Sequence, residues 1–189
     1  MDLVLDKRER ILAAAGRLIV RNGLQCSMAA IAEEASVATG SLYNYFASKE
    51  ALVLGVYSRM TEEMTAALVT AIDPDVEPGE RVRRYIEDYI DFIWSDAQRA
   101  KLFDYLDNTP LITMGDAITL FGPFMQHGIE MIEAAQKAAA VRAGSATLIM
   151  SFVRGSIRNT LKRRRFSQEP LTAEDRDLVA GMCWAAISA

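Results

Sequence analysis

Residues 27–49 read SMAAIAEEASVATGSLYNYFASK, and this stretch decides how the chain is read. Ser27 is a suitable N-cap, because a serine hydroxyl accepts from the free N–H groups of a first helical turn. Met28, Ile31, Ala32 and Ala35 then recur at helical spacing, with Glu33 and Glu34 facing out. Ser36-Val37 breaks the pattern. Val37, Leu42 and Phe46 are the next apolar positions, the last two one helical turn apart. Ala38, Thr39, Ser41 and Asn44 are left pointing away from the core, flanked by Tyr43 and Tyr45. A short helix with small polar residues at its N-terminal end, held by a preceding helix, is how a helix-turn-helix presents a reading head to the DNA major groove. Periodicity alone fits a pair of helices in any bundle equally well.

Working outward, Asp6 with Glu9 three residues on predicts a capping box and a helix start near Lys7, after a short flexible arm at residues 1–5. Ile11, Leu12, Ala15, Leu18 and Ile19 give that helix one apolar face through to Arg21, and Asn22-Gly23 stops it. Arg8, Arg10, Arg17 and Arg21 fall on its solvated side. Downstream, Ser48 caps a long helix over about 49–72, with Leu52, Val56, Met60 (or Arg59), Met64, Leu68 and Ile72 as its stripe. That helix touches the head at its start and the remainder of the chain at its end.

AIAEEASVATGSLYNYFASKEAL, preceded by RERILAAAGRLIVRNG from Arg8 to Gly23, resembles the signature of the TetR family of bacterial transcriptional repressors. The resemblance runs to about Tyr57 and is weak beyond it, where that family varies with its ligand. One departure is Ser36, where the family usually has glycine; a left-handed turn residue is strained without glycine. The resemblance implies an all-α fold: a three-helix helix-turn-helix head over residues 1–48, and a helical-bundle ligand-binding and dimerisation body over 49–189. It also implies DNA contacts from Ser27, Thr39, Gly40, Ser41, Tyr43, Asn44, Tyr45 and Lys49. Residue chemistry supports these roles. Thr39, Ser41 and Asn44 can reach base edges, with Asn44 able to pair with adenine or to contact the backbone. Gly40 permits close approach. Ser27 at a helix start and Lys49 suit phosphates. Tyr43 and Tyr45 can donate to phosphates or stack on sugar and thymine methyls, and Tyr45 serves equally well as a packing residue. Two such heads about 34–36 Å apart demand an inverted-repeat operator.

Composition bounds the rest. With 189 residues, 51% of them hydrophobic, and only 5 prolines and 11 glycines, the chain can build a large helical core. No apolar run reaches the roughly 18 residues that a membrane span needs. The N-terminus lacks signal-peptide order, and Cys26 and Cys183 are far apart, so a reduced, cytoplasmic setting is expected. Net charge is −4, and residues 1–50 carry six Lys/Arg against six Asp/Glu. DNA binding must therefore rest on local placement of charge.

Beyond Pro78 the pattern predicts helices over 78–95 and 97–107, a broken or kinked segment over 110–122, and a helix from Pro123 to Arg142. Two more follow, one starting at Ser145 and one capped by Thr172, and no strand is evident. The last two carry small and apolar residues suited to a two-fold four-helix interface: Leu148, Ser151, Phe152, Gly155, Leu178, Met182 and Ala185. An intrachain core accounts for the same positions. The run Lys162-Arg163-Arg164-Arg165 at a helix C-terminus reads as structural. The middle helices are rich in aromatics and methionines. By resemblance a small, largely apolar effector binds there, near Tyr89, Trp94, Phe103, Phe121, Phe124 and Met131, with His127, Tyr89 or Arg154 as polar anchors. One histidine and two scattered cysteines make no triad, and GxSxG, P-loop and GxGxxG motifs are absent. No enzyme, cofactor or metal is expected. The competing reading is a helical dimeric ligand-binding protein without DNA-binding activity.

Overall fold

The computed structural model describes residues 6–69, 75–106 and 113–189. Among them are nine α-helices: α1 Lys7–Asn22, α2 Met28–Glu34, α3 Thr39–Tyr45, α4 Lys49–Leu68, α5 Pro78–Ser95, α6 Ala97–Leu106, α7 Met114–Lys137, α8 Ala146–Phe166 and α9 Ala173–Ile187. A 3-10 turn, Gly23–Gln25, follows α1, and one isolated bridge pairs Val141 with Ser188. The chain is all-α, as its composition predicts. It forms two compact units, Met1–Glu62 with Lys101–Leu120, and Glu63–Ala100 with Phe121–Ala189. The helix α4 passes from the first into the second without a break.

The first unit is built on α1. Ile11, Leu12, Ala15, Leu18 and Ile19 are buried along one side, and α2 packs there with Met28, Ile31 and Ala32. The N-caps follow the sequence: Ser27 Oγ accepts from Ala30 N at 3.1 Å, and Ser48 Oγ from Ala51 N at 3.2 Å. The capping box expected at Asp6 does not form, since the Asp6 side chain makes no cap bond. Glu9 instead meets Arg8 and, at 3.5 Å, Arg59 of α4, because a neighbouring helix offers it a cation. In α4 the expected stripe Leu52, Val56, Met60, Met64 and Leu68 is buried. Tyr57 is fully buried as well, and its hydroxyl donates to the Leu102 carbonyl of α6 at 3.2 Å.

In the second unit α5, α8 and α9 pack pairwise. Each carries a heptad-like stripe: Val82, Ile86, Tyr89 and Ile93; Met150, Val153, Ile157 and Leu161; Val179, Cys183 and Ile187. Pro78 opens α5, Asp96 Oδ1 accepts from the Gln98 and Arg99 amides, and Thr172 with Asp175 forms a full capping box on α9.

Three boundaries differ from the sequence reading. Val69 already lies in a turn, so α4 ends by Leu68 short of Ile72. The break expected near Gly122-Pro123 is absent: α7 runs from Met114 through Pro123, whose exposed ring the helix tolerates. It ends at Lys137 rather than Arg142, because Ala139 turns left-handed (φ 53°) and Val141 leaves the helix to be buried beside the C-terminal end, where Arg142 N donates to the Ile187 carbonyl at 2.9 Å. The arm at residues 1–5, Ile72, the last residue of the helix expected over 97–107 and the start of the segment expected over 110–122 lie outside the described residues.

Candidate nucleic-acid interface

The turn between α2 and α3 sets the reading face. Ala35 ends α2, Ser36 takes φ 54°, and Ala38 in extended conformation starts α3. The left-handed residue anticipated at Ser36 is therefore real. A feature that sequence reading missed supports it. The Arg10 guanidinium of α1 donates to the carbonyls of Ala35 and Ser36, each at 2.8 Å. Nothing in the linear pattern marked Arg10 apart from the other arginines of α1, since its partners lie 25 and 26 residues away.

From that turn, α3 rolls Leu42 and Phe46 inward, at 0% and 5% exposure, and presents Tyr43 and Tyr45 outward at 50% and 42%. Thr39, Gly40 and Asn44 are exposed and Ser41 is half-buried. Ala38 offers no side-chain acceptor, so the first amides of α3 are left to an outside partner. Gly40 has an ordinary backbone conformation, and a Cβ built on it would meet nothing within 4 Å. The protein's own packing does not require glycine there. Ser27 is exposed, and because its oxygen accepts from Ala30 its proton remains available to donate. Burial raises the pKa of the Cys26 thiol, and the Lys49 ammonium opposes that shift.

Charge around this face is largely matched. Arg17 and Arg21 both bind the Glu34 carboxylate, which their hydrogen bonds hold below its ordinary range, and Arg8 lies 5.6 Å over the Phe46 ring. A partner would be recognised by shape and hydrogen bonds more than by a broad positive field.

The expected effector residues divide between the units. Phe103 belongs to the first, whereas Tyr89, Trp94, Phe121, Phe124, His127, Met131 and Arg154 belong to the second. Within the second unit Tyr89 stacks on Tyr85, ring centroids 5.9 Å apart. Arg154 lies 4.1 Å over the Phe124 ring and its Nε donates to the Tyr85 hydroxyl at 2.6 Å, which adds Tyr85 to the set. Trp94 is covered by Arg165, which also donates to the Ile93 and Trp94 carbonyls at 2.6 Å. With Arg164 bound to Glu169 and Asp175, the basic run has the structural use expected of it, but its partners lie on a loop and on other helices. Leu148, Ser151, Phe152, Leu178, Met182 and Ala185 are exposed and Gly155 is half-buried. Among the described residues no cluster of His, Cys, Asp or Glu could hold a metal ion, and no helix is long and apolar enough to cross a membrane.

Comparison with known proteins agrees with this geometry. Residues 11–56 match the sequence model of bacterial regulatory proteins, tetR family. The HTH-type transcriptional activator FasR of Mycolicibacterium smegmatis is 31% identical over 98 residues, covering 51% of this chain. The match spans 45% of that relative, so the chain corresponds to less than half of it. A TetR family transcription regulator from Marinobacter aquaeolei superposes with a TM-score of 0.85 at 17% identity, over 96% of this chain and 95% of that one. A TetR-family regulator from Haemophilus influenzae gives 0.79 at 24% identity, over 97% of each. At these identities the likeness is one of fold.

Proposed function

Starting from a head whose residues 11–56 match the tetR family of bacterial regulatory proteins, we propose that the chain is a dimeric, ligand-responsive transcriptional regulator of that family, a repressor that leaves an inverted-repeat operator when a small molecule binds. Residues 1–48 are its DNA-binding part, and 49–189 bind the effector and the second copy. One observation carries the DNA role: α3 buries Leu42 and Phe46 and turns Thr39, Gly40, Tyr43, Asn44 and Tyr45 outward. Such a helix enters the major groove with its N-terminal residues against base edges. Gly40 admits the duplex backbone, while Ser27 and Lys49 hold phosphates. The continuous helix α4 is the element through which an effector would act on the head.

The test is selection of bound fragments from randomised duplex DNA, followed by sequencing. An inverted repeat is expected, and the double substitution Tyr43→Ala with Asn44→Ala should abolish its binding while the helical content and mass of the protein stay as they were. Gly40→Ala should weaken it, because an added Cβ meets nothing within 4 Å inside the protein and obstructs only the partner. Unaltered binding by these variants, or no enriched sequence with folded protein, would sink the assignment. In vitro transcription from a promoter bearing the selected repeat separates repression from activation.

A further inference from the structure

In the second unit, Arg154 of α8 is set among aromatic rings. Arg99, Arg164 and Arg176 each meet a carboxylate: Glu63, Glu169 with Asp175, and Asp91 respectively. Arg154 is half-buried as they are, yet no carboxylate among the described residues pairs with it. Its guanidinium lies over the rings of Phe124, at 4.1 Å, and Tyr85, at 5.5 Å, and among the described residues donates to the Tyr85 hydroxyl and, weakly at 3.4 Å, to the Phe124 carbonyl. The Tyr85 phenol is no counter-charge, because burial pushes its ionisation well above the ordinary range. Helix α7 makes room for the cation. A Cβ on Gly128 would sit 2.5 Å from an Arg154 terminal nitrogen, a distance that real atoms do not adopt.

The residue before that glycine is His127. Its Nε2 is shielded from solvent and has no hydrogen-bond partner among the described residues. The nearby Glu130 carboxylate is held by Gln126 at 3.0 Å. A half-buried cation without an anion and a shielded imidazole nitrogen without a partner are both unfavourable when left alone. Here they are neighbours, near enough for Arg154 to act on the imidazole. A carboxylate satisfies both at once, since the fork of an arginine fits its two oxygens and a neutral imidazole can donate Nε2–H to one of them. Phe121, Phe124 and Met131, all buried in this unit, offer the surroundings of an apolar group.

We infer that the effector is an apolar monocarboxylate, whose carboxylate is received by the Arg154 guanidinium with His127 beside it. This rests on the reading of the second unit as an effector-binding body and adds the chemical class. The anion is bound by charge-assisted hydrogen bonds, and the apolar remainder by burial.

The experiment is calorimetric titration and thermal unfolding of the full chain, without DNA, against butyrate, octanoate, palmitate and 3-phenylpropionate, each paired with its methyl ester. At least one acid should bind and raise the unfolding midpoint, and should bind about tenfold or more tightly than its ester, the factor that one charge-assisted contact supplies. Arg154→Gln should erase that preference, Arg154→Lys should keep part of it, and His127→Gln should reduce it. Circular dichroism of each variant confirms that it is folded, and should Arg154→Gln fail to fold, the lysine and glutamine variants at the two positions carry the comparison. Esters binding as well as acids, or a folded Arg154→Gln that keeps the acid preference, would overturn the inference and leave the effector reading in place. No binding by any acid or ester would overturn both. The selection from randomised DNA is independent of either result.

Discussion

Ser36 takes a left-handed conformation, φ 54°, with a side chain that disfavours it. A Cβ there costs on the order of 1–2 kcal/mol, which glycine avoids at some expense in the unfolded chain. Ser36→Gly should therefore raise the stability of the first unit by up to about 1 kcal/mol, read as a later denaturation midpoint. Arg10 works against the same strain by holding the Ala35 and Ser36 carbonyls. Arg10→Met should cost about 1–2 kcal/mol, the scale of hydrogen bonds from a charged donor that are only partly shielded, and it should weaken operator binding. If Ser36→Gly in the Arg10→Met background restores none of the lost stability, the clamp acts elsewhere. Ser36 was legible through the resemblance, since the family it resembles usually has glycine at that turn. Arg10 was not, because its role exists only once α1 and the turn are side by side. His127 gives a residue-scale prediction in pH. Burial, aided by Arg154 and opposed by Glu130, lowers its pKa below the ordinary 6.5, so the native state favours the neutral ring. The unfolded chain then binds the proton more readily, and stability present above 6.5 is lost as the pH falls below it. His127→Gln should flatten the stability profile in that window. The lowered carboxylates Glu34, Asp116 and Asp175 act only further down, below their ordinary values of 4.5 and 3.8.

Among the helices, α3 is too short to be stable alone and keeps its orientation through what it buries. Phe46, just past its end, lies against α4, where a Cβ on Gly55 would be 2.9 Å from the Phe46 ring and 3.0 Å from Leu12. That glycine lets α1, α4 and the end of α3 close on one another. Gly55→Leu should overpack this junction, cost about 1–3 kcal/mol, and reduce operator affinity by tilting α3. Intact affinity in a folded Gly55→Leu would show that the seat of α3 lies elsewhere. The pattern exposed α1, α2, α3 and α5 and the start of α4 with close boundaries, because their apolar stripes and terminal glycine or proline agree. The pattern failed on α7, where Gly115, Gly122 and Pro123 argued for a break in what is one helix. Propensity was overridden there by burial of Phe121, Phe124 and Met131 along the continuous helix. The end of α7 was also set by tertiary structure, since Val141 is drawn to the chain's C-terminal end and no local stop signal precedes it. The effector residues were the least legible part. Which side chains of α5, α7 and α8 meet depends on how three helices are rotated, and Phe103 falls in the other unit altogether.

Taken over the whole molecule, α8 and α9 carry more apolar surface than one chain can cover. Their inner faces, Met150, Val153, Ile157 and Leu161 on one and Val179, Cys183 and Ile187 on the other, are buried. A second stripe runs along each. Leu148, Ser151, Phe152 and Gly155 recur one turn apart on α8, and Leu178, Met182 and Ala185 on α9. Four of these are large and open, Leu148 at 71%, Leu178 at 58%, Met182 at 53% and Phe152 at 49% exposure. A helix apolar on two faces is one that is buried on both, and adjacent patches of this kind mark an association surface. Gly155 and Gly181 have no atom within 4 Å of where a Cβ would lie, so a neighbouring helix can approach closely. A second copy would match the surface with itself across a two-fold axis, two helices against two. The wild type should sediment at twice the chain mass of 20.9 kDa, and the pair Phe152→Glu with Met182→Glu should sediment as a folded monomer. The same variant should lose operator binding although α3 is untouched. On the proposed reading each head would make few base contacts, and the second would bind at the high effective concentration that the first provides only while the copies are joined. A monomeric wild type that still selects an inverted repeat would place the pairing on the DNA itself, and a charged variant that stays dimeric would move the interface off α8 and α9. Loss of dimer and of operator binding together ties the second apolar face of α8 and α9 to the spacing of the two reading helices.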